Sequence, residues 1–165
     1  MMQGWRIRTS ATCRFARVCA AACLCVPWDA YAQRSAAVVA PSAIAVSGDA
    51  ITAPLTSATP DPDRGRAIVV DRGNGNCLIC HKLPAPSEPF QGTIGPDLAG
   101  IGRRLTAAQI RLRLADQSRL NPATLMPPFY RTQDLVRVDS RYAGRPVLTA
   151  LEIEDVVAYL GTLKE

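Results

Sequence analysis

The sequence predicts an all-α fold in one domain with long loops, because helix starts are marked more clearly than any strand. Thr106 stands three residues before Gln109, which is the spacing of a capping box with reciprocal side-chain and backbone hydrogen bonds. Thr149 and Glu152 repeat this pattern near the end of the chain. No strand or βαβ unit can be recognised before Cys77. A length of 165 residues suits a single domain.

The first helix is expected between Asp61 and Val70. The Asp61 carboxylate can accept hydrogen bonds from free backbone amides of the first turn. Pro62 fits the first helical position because its fixed φ is already helical. Residues 73–76, Gly-Asn-Gly-Asn, then end the helix.

The second helix is expected from Thr106 to about Ser118. Ile110 and Leu114 share one face of it, whereas Leu112 points away from them. This arrangement predicts a helix covered on two sides.

The last helix follows Thr149 and has one apolar face. Between the second and last helices, residues 131–148 also leave room for a small hairpin. Burying the apolar face would hold the last helix against the rest of the domain. The apolar face consists of Ile153, Val156, Val157, Leu160 and Leu163, with Tyr159 at its edge.

Residues 1–32 have the pattern of a secretory signal peptide. Four arginines precede an apolar run at residues 18–26, and Ala30-Tyr31-Ala32 offers an A-x-A cleavage site. The apolar run is too short to span a bilayer. Lipoprotein processing at Cys23 is a weaker alternative, because residues 20–22 lack a bulky residue at the usual leading position. We therefore expect export and removal of residues 1–32.

Removal of the signal peptide changes what the composition implies. The whole chain has a net charge of +5, but the mature chain keeps 15 basic and 13 acidic residues, a net charge of +2. Nucleic-acid binding thereby loses its main support. Four of the six cysteines also leave, so the cysteine count does not imply a disulfide framework.

Residues 33–60 form an arm before the domain expected at residues 61–165. They are rich in Ala, Ser, Thr, Pro and Val, without a helical or alternating pattern of useful length. A disordered tether is the simpler interpretation. An arm that wraps a partner subunit is the alternative, and the apolar residues that keep it open are Val38, Val39, Ile44, Val46, Ile51 and Leu55.

The pentapeptide at residues 77–81, Cys-Leu-Ile-Cys-His, has the C-x-x-C-H spacing of a c-type haem attachment site. On a helix, Cys77, Cys80 and His81 reach the same side. Each thiol would join a haem vinyl group as a thioether, and the imidazole would be the proximal iron ligand. One covalently bound haem c is therefore the expected cofactor.

Three other interpretations of the pentapeptide each lack a requirement. A structural zinc site needs four ligands, and no further Cys or His lies outside the signal peptide. A thioredoxin-like pair needs a preceding strand. A plain disulfide between Cys77 and Cys80 leaves His81 unexplained.

Met126 is the candidate for the second axial ligand. It is the only methionine of the mature chain and stands in a loop, residues 121–130, that contains three prolines. Buried methionines usually fill space, but a thioether here could approach iron opposite His81. Such His/Met ligation is common in cytochromes c and raises the reduction potential relative to two imidazoles. With both axial positions filled, the expected chemistry is electron transfer.

The most basic stretch of the mature chain surrounds the second helix. It is interpreted first as a solvated face with one arginine near a haem propionate, and alternatively as a docking surface for an acidic partner. The stretch contains Arg103, Arg104, Arg111, Arg113 and Arg119.

Over residues 61–165 the chain resembles class I cytochromes c, in its terminal helices, its C-x-x-C-H motif, its Gly95-Pro96 loop and its loop methionine. In that family the carbonyl of the proline matching Pro96 orients the proximal imidazole. More narrowly, four segments resemble SoxX, the monohaem subunit of the SoxAX complex in bacterial thiosulfate oxidation. They are residues 75–81, 92–96, 121–130 and 144–160.

The resemblance implies a periplasmic subunit of a two-subunit enzyme. A SoxA-like partner would join thiosulfate oxidatively to a carrier-protein cysteine, as an L-cysteine S-thiosulfotransferase. This chain's haem would accept the electrons and pass them to another cytochrome. No catalytic residue is expected here, because the mature sequence offers no free thiol or second histidine as nucleophile or base.

Other functions share the same ligands. A stand-alone periplasmic electron carrier would differ by lacking a partner subunit. A haem-based sensor would need Met126 to leave iron easily. The haem subunit of a sulfite dehydrogenase is the nearest alternative among enzyme assemblies, because such subunits can carry a similar last helix.

Overall fold

The computed structural model describes residues 36–85 and 87–165, and this part of the chain is helical without strands. The signal peptide expected at residues 1–32 lies outside it. Two isolated bridges, Val38 with Thr56 and Ser47 with Ala50, are its only β-type pairings. The α-helices are α1 (Pro62–Val70), α2 (Ile101–Arg104), α3 (Ala107–Asp116) and α4 (Ala150–Thr162), and the short 3-10 helices are Pro41–Ala43, Cys77–Ile79, Gln117–Arg119 and Ser140–Tyr142.

Helix α1 begins as the sequence predicts. The Asp61 Oδ1 atom accepts hydrogen bonds from the backbone amides of Asp63 at 2.8 Å and Arg64 at 3.2 Å. These two amides lower the pKa of the Asp61 carboxyl below its ordinary value, because they favour the charged form.

Both predicted capping boxes are formed. Thr106 Oγ1 accepts from the Gln109 amide at 3.3 Å, and Gln109 Oε1 accepts from the Thr106 amide at 2.9 Å. Glu152 Oε2 accepts from the Thr149 amide at 2.7 Å in the same way. Helices α3 and α4 therefore begin where local sequence places them.

Helix α1 packs against α4 in the most extensive helix–helix contact of the described residues. A Cβ atom added to Gly65 would overlap the Asp155 backbone and lie 2.9 Å from Tyr159 Cβ. The absence of a side chain at Gly65 therefore lets the two helices approach. The Arg64 guanidinium adds two bonds to the buried Asp155 carboxylate, at 2.8 and 2.9 Å.

The described part of the arm, residues 36–60, is not a free tether. Ile51 and Leu55 are 2% and 1% exposed and belong to the same core as the helices. The arm and residues 61–165 therefore share one hydrophobic core, and no packing boundary lies at residue 61. The arm covers the second side of α3, where Leu112 is buried.

A buried ion pair explains why the arm is held. The Arg111 guanidinium on α3 binds both oxygens of Glu154 on α4, at 2.7 and 2.8 Å. Arg111 also donates to the Ile51 carbonyl at 2.7 Å, and the Leu55 amide donates to Glu154 at 2.7 Å. Arg111 therefore lies in the interior and not on a solvated face.

Residues 131–149 form turns and a short 3-10 helix instead of a hairpin. Asp134 and Arg137 have left-handed backbones, with φ of 55° and 59°. Two residues with left-handed backbone conformations among four consecutive residues are incompatible with an extended strand.

Candidate functional site

The pentapeptide forms a single tight turn. Cys77–Ile79 is a 3-10 helix, preceded by Asn76 with a left-handed φ of 52°. The amides of Cys80 and His81 both donate to the Cys77 carbonyl, at 3.1 and 2.9 Å. This turn brings Cys77, Cys80 and His81 to the lining of a single cavity.

The His81 ring is fixed by the loop that follows it. Its Nδ1 atom lies 2.7 Å from the Pro96 carbonyl oxygen, so Nδ1 carries the proton and donates. That leaves Nε2 free to bind a metal ion. The Gly95 amide donates to the Cys80 carbonyl at 2.7 Å. A Cβ atom at Gly95 would lie 2.6 Å from His81 Nδ1, so only glycine leaves room for the ring.

A cavity of about 710 Å³ lies beside this turn. Its lining includes all the predicted site residues, namely Cys77, Cys80, His81, Pro96 and Met126. The volume falls within the roughly 300–1,000 Å³ of pockets that hold small molecules and cofactors.

The walls of the cavity come from all four α-helices. Their apolar surface includes Val69 of α1, Ile101 of α2, Leu114 of α3 and Leu160 of α4. Leu98 and Phe129 from the loops complete the lining and are also buried. Such walls suit the flat apolar face of a porphyrin.

Polar groups also line the cavity. Arg104 donates to the Asp97 carbonyl at 2.7 Å and to Ala99, and Arg113 lies near the Asp49 carboxylate. Gln117 has a buried amide oxygen without a hydrogen-bond partner among the described residues. The two cations suit the carboxylates of a haem, so the residues of this cavity fit that cofactor.

The Met126 loop is attached to α3 after its last proline. The amides of Phe129 and Tyr130 donate to the carbonyls of Leu114 and Ala115, at 3.1 and 3.2 Å. The Met126 amide itself donates to Thr124 Oγ1 at 3.1 Å. The loop thus has a defined path along the cavity.

The two thiols are not joined as a disulfide. Burial raises the pKa of the Cys77 thiol to about 11, since the thiolate would lose its hydration. At neutral pH the sulfur therefore keeps its proton and reacts slowly with solutes.

Three apolar side chains lie exposed at the rim of the cavity. Ile79 is 57%, Ile94 69% and Leu125 83% exposed. Residue spacing does not mark these three side chains as members of one surface. The only available signal was that two of the three side chains stand next to candidate ligands.

No protein-family model and no curated protein matches the chain. Among solved structures, the crystal structure of SoxXA from P. pantotrophus is similar to it, with 39% sequence identity and a TM-score of 0.73. The match covers 78% of this chain and 100% of that chain.

The chain belongs to the SoxX family. This confirms the resemblance carried by the four sequence segments. The SoxX-family chain also has the helical architecture expected from its capping boxes.

Within residues 36–85 and 87–165, no helix is both long and apolar enough to cross a bilayer.

Proposed function

We propose that this SoxX-family chain is the monohaem cytochrome c subunit of a periplasmic sulfur-oxidising complex. The observation that supports this best is that two thiols, an imidazole and a thioether line one cavity of about 710 Å³. Class I cytochromes c use these four groups.

Each site residue has a distinct role in the proposal. Cys77 and Cys80 would hold one haem c through thioether bonds, and His81 and Met126 would be the protein ligands of its iron. The bound haem supplies reversible one-electron transfer. The Pro96 carbonyl, 2.7 Å from His81 Nδ1, keeps the imidazole in one tautomer and orientation.

The apolar walls of the cavity determine how much the solvation of the cofactor changes when it gains an electron. Apolar residues such as Leu114 and Leu160 would limit the access of water to the cofactor. A low-dielectric site changes its solvation little when one electron arrives, which favours rapid transfer. With His81 and Met126 both as ligands, the iron would have no open position for a substrate.

The proposal places bond-making chemistry on a partner. A SoxA-like subunit would conjugate thiosulfate oxidatively to a carrier-protein cysteine, and this chain would accept the electrons and pass them to another cytochrome. The sequence contains one histidine, which the proposal assigns to iron, and no cysteine outside the pentapeptide and the signal peptide. The signal peptide at residues 1–32 would direct export to the periplasm.

Covalent attachment is tested by denaturation. Haem stain should stay with the denatured polypeptide, and it should be lost when Cys77 and Cys80 are both replaced by serine. A colourless denatured wild-type chain would refute the cofactor assignment.

The division of labour is tested with the purified mature chain. We expect a reversible haem spectrum but no thiosulfate turnover until a SoxA-like subunit is added. A tagged chain should recover that subunit from native periplasm. Turnover by the chain alone would refute the assignment, and activity with sulfite instead of thiosulfate would favour a sulfite dehydrogenase.

A further inference from the structure

Tyr130 links the Met126 loop to the arm. Its side chain is 2% exposed, and its hydroxyl donates to the Val39 carbonyl at 2.7 Å. Burial raises the pKa of the Tyr130 phenol above its ordinary value, so the hydroxyl keeps its proton at neutral pH and can donate.

The two residues that end the Met126 loop serve different surfaces. Phe129 lines the cavity, whereas Tyr130 lines a small groove under the arm. The Tyr130 hydroxyl can therefore fix the loop without entering the cavity.

The acceptor of this hydrogen bond is itself held by the core. The Val39 amide donates to the Leu55 carbonyl at 2.7 Å. Leu55 is 1% exposed, and its own amide donates to Glu154 at 2.7 Å. The Val39 carbonyl is thus anchored to α4 through a short series of hydrogen bonds.

We propose that Tyr130 is a positioning residue that, through the arm, keeps Met126 on the iron. This inference rests on the proposed function, in which Met126 is an axial ligand. Met126 precedes Tyr130 by four residues, two of them prolines with fixed φ, so displacement of Tyr130 is transmitted along a stiff segment. The arm then holds the Met126 loop in its ligating position.

The test is the affinity of the oxidised, haem-loaded mature chain for added imidazole, which competes with Met126. Tyr130→Phe should raise this affinity about tenfold, because one hydrogen bond that favours the ligated loop is lost. The matched control is Tyr142→Phe, whose hydroxyl makes no hydrogen bond among the described residues. An unchanged affinity in Tyr130→Phe, or an equal rise in Tyr142→Phe, would overturn the inference.

A double-mutant cycle shows whether Tyr130 acts through Met126. In the Met126→Leu background there is no sulfur to displace, so adding Tyr130→Phe should leave the imidazole affinity unchanged. A rise there as large as in the wild-type background would overturn the inference.

Failure of the proposed ligation is recognised separately. If Met126→Leu alone changes neither the imidazole affinity nor the near-infrared charge-transfer band of the oxidised protein, Met126 is not a ligand. If Met126→Leu changes the imidazole affinity but Tyr130→Phe does not, only the role of Tyr130 is refuted. Unfolding curves for all variants ensure that each titration is made on folded protein.

Discussion

Gly95 controls the His81 ring at the scale of one atom. A Cβ atom here would overlap the imidazole on three of its ring atoms, and the ring is also held by the Pro96 carbonyl. The position therefore has no room for a methyl group. The His81 ring therefore needs glycine at position 95 for space and the Pro96 carbonyl as its hydrogen-bond acceptor.

Replacing Gly95 by alanine should displace His81. Overpacking of this kind costs about 1–3 kcal/mol, and we expect a lower free energy of unfolding together with a changed haem spectrum. Denaturant titration and visible absorption measure these two effects.

Gly161→Ala is the matched control, because nothing lies within 4 Å of its added Cβ atom. It should preserve the spectrum and slightly stabilise α4, since alanine favours helices. A normal spectrum in Gly95→Ala would contradict the steric argument.

The beginning of α1 is sensitive to acid through Asp61. Its ordinary pKa is 3.8, and hydrogen bonds from the Arg64 and Asp63 amides lower it in the folded chain. The resulting stabilisation is present above about pH 4 and is lost as the pH falls through the lower, folded-state pKa.

Asp61→Asn should therefore reduce the acid sensitivity of unfolding, because asparagine also caps helices but does not titrate. The measurement is the denaturant midpoint between pH 5 and pH 2. Asp63→Asn is the control, since that carboxylate makes no hydrogen bond among the described residues. Equal acid sensitivity of wild type and Asp61→Asn would exclude Asp61 as a contributor.

The contact of α3 with α4 depends on the buried Arg111–Glu154 pair. Both side chains are under 10% exposed, at 7% and 5%. Removing one partner leaves the other charge buried, which costs about 3–5 kcal/mol.

Glu154→Ala should therefore be strongly destabilising in denaturant titrations. Lys82→Ala removes an ion pair whose side chains are 65% and 47% exposed, and it should cost less than about 1 kcal/mol. Similar losses in the two variants would contradict a special role for the buried pair.

Local sequence signals predicted where the helices begin, but they did not predict that the arm packs against the domain. Asp61, Thr106 and Thr149 act on amides within three residues, so their roles can be recognised from spacing alone. The Leu55 amide binds Glu154, 99 residues away, and its acceptor resembles any other glutamate in a helix. Non-local hydrogen bonds of this kind leave no pattern in one sequence.

The residues of the site also divide into those marked by local sequence and those that depend on non-local packing. Cys77, Cys80 and His81 form a local motif, and Met126 was identified because it is unique in the mature chain. Gln117 directly follows α3, and whether its side chain reaches the cavity depends on how α3 packs, which residue spacing does not determine.

At the scale of the whole molecule, the domain is built around its cavity. The cavity of about 710 Å³ is lined by apolar side chains from all four α-helices and from the loops. These side chains lose packing contacts unless a large group fills the space. A cofactor bound here would therefore be part of the core.

Loss of the haem should accordingly unfold much of the chain. We expect the Cys77→Ser/Cys80→Ser double variant, purified without haem, to have weak helical circular dichroism and no cooperative denaturant transition. Adding haem should restore part of both through His81. A haem-free variant that unfolds at the wild-type midpoint would show that the protein core suffices.

Adjacent carboxylates on α4 join distant parts of the polypeptide. Glu154 holds the arm, and Asp155 holds the start of α1 through the Asp61 amide at 2.6 Å. A shortened gene that starts at residue 61 would keep every proposed haem ligand, yet it would remove the Ile51 carbonyl from Arg111 and uncover Leu112. Its product would be prone to aggregation, so expression boundaries belong ahead of residue 36.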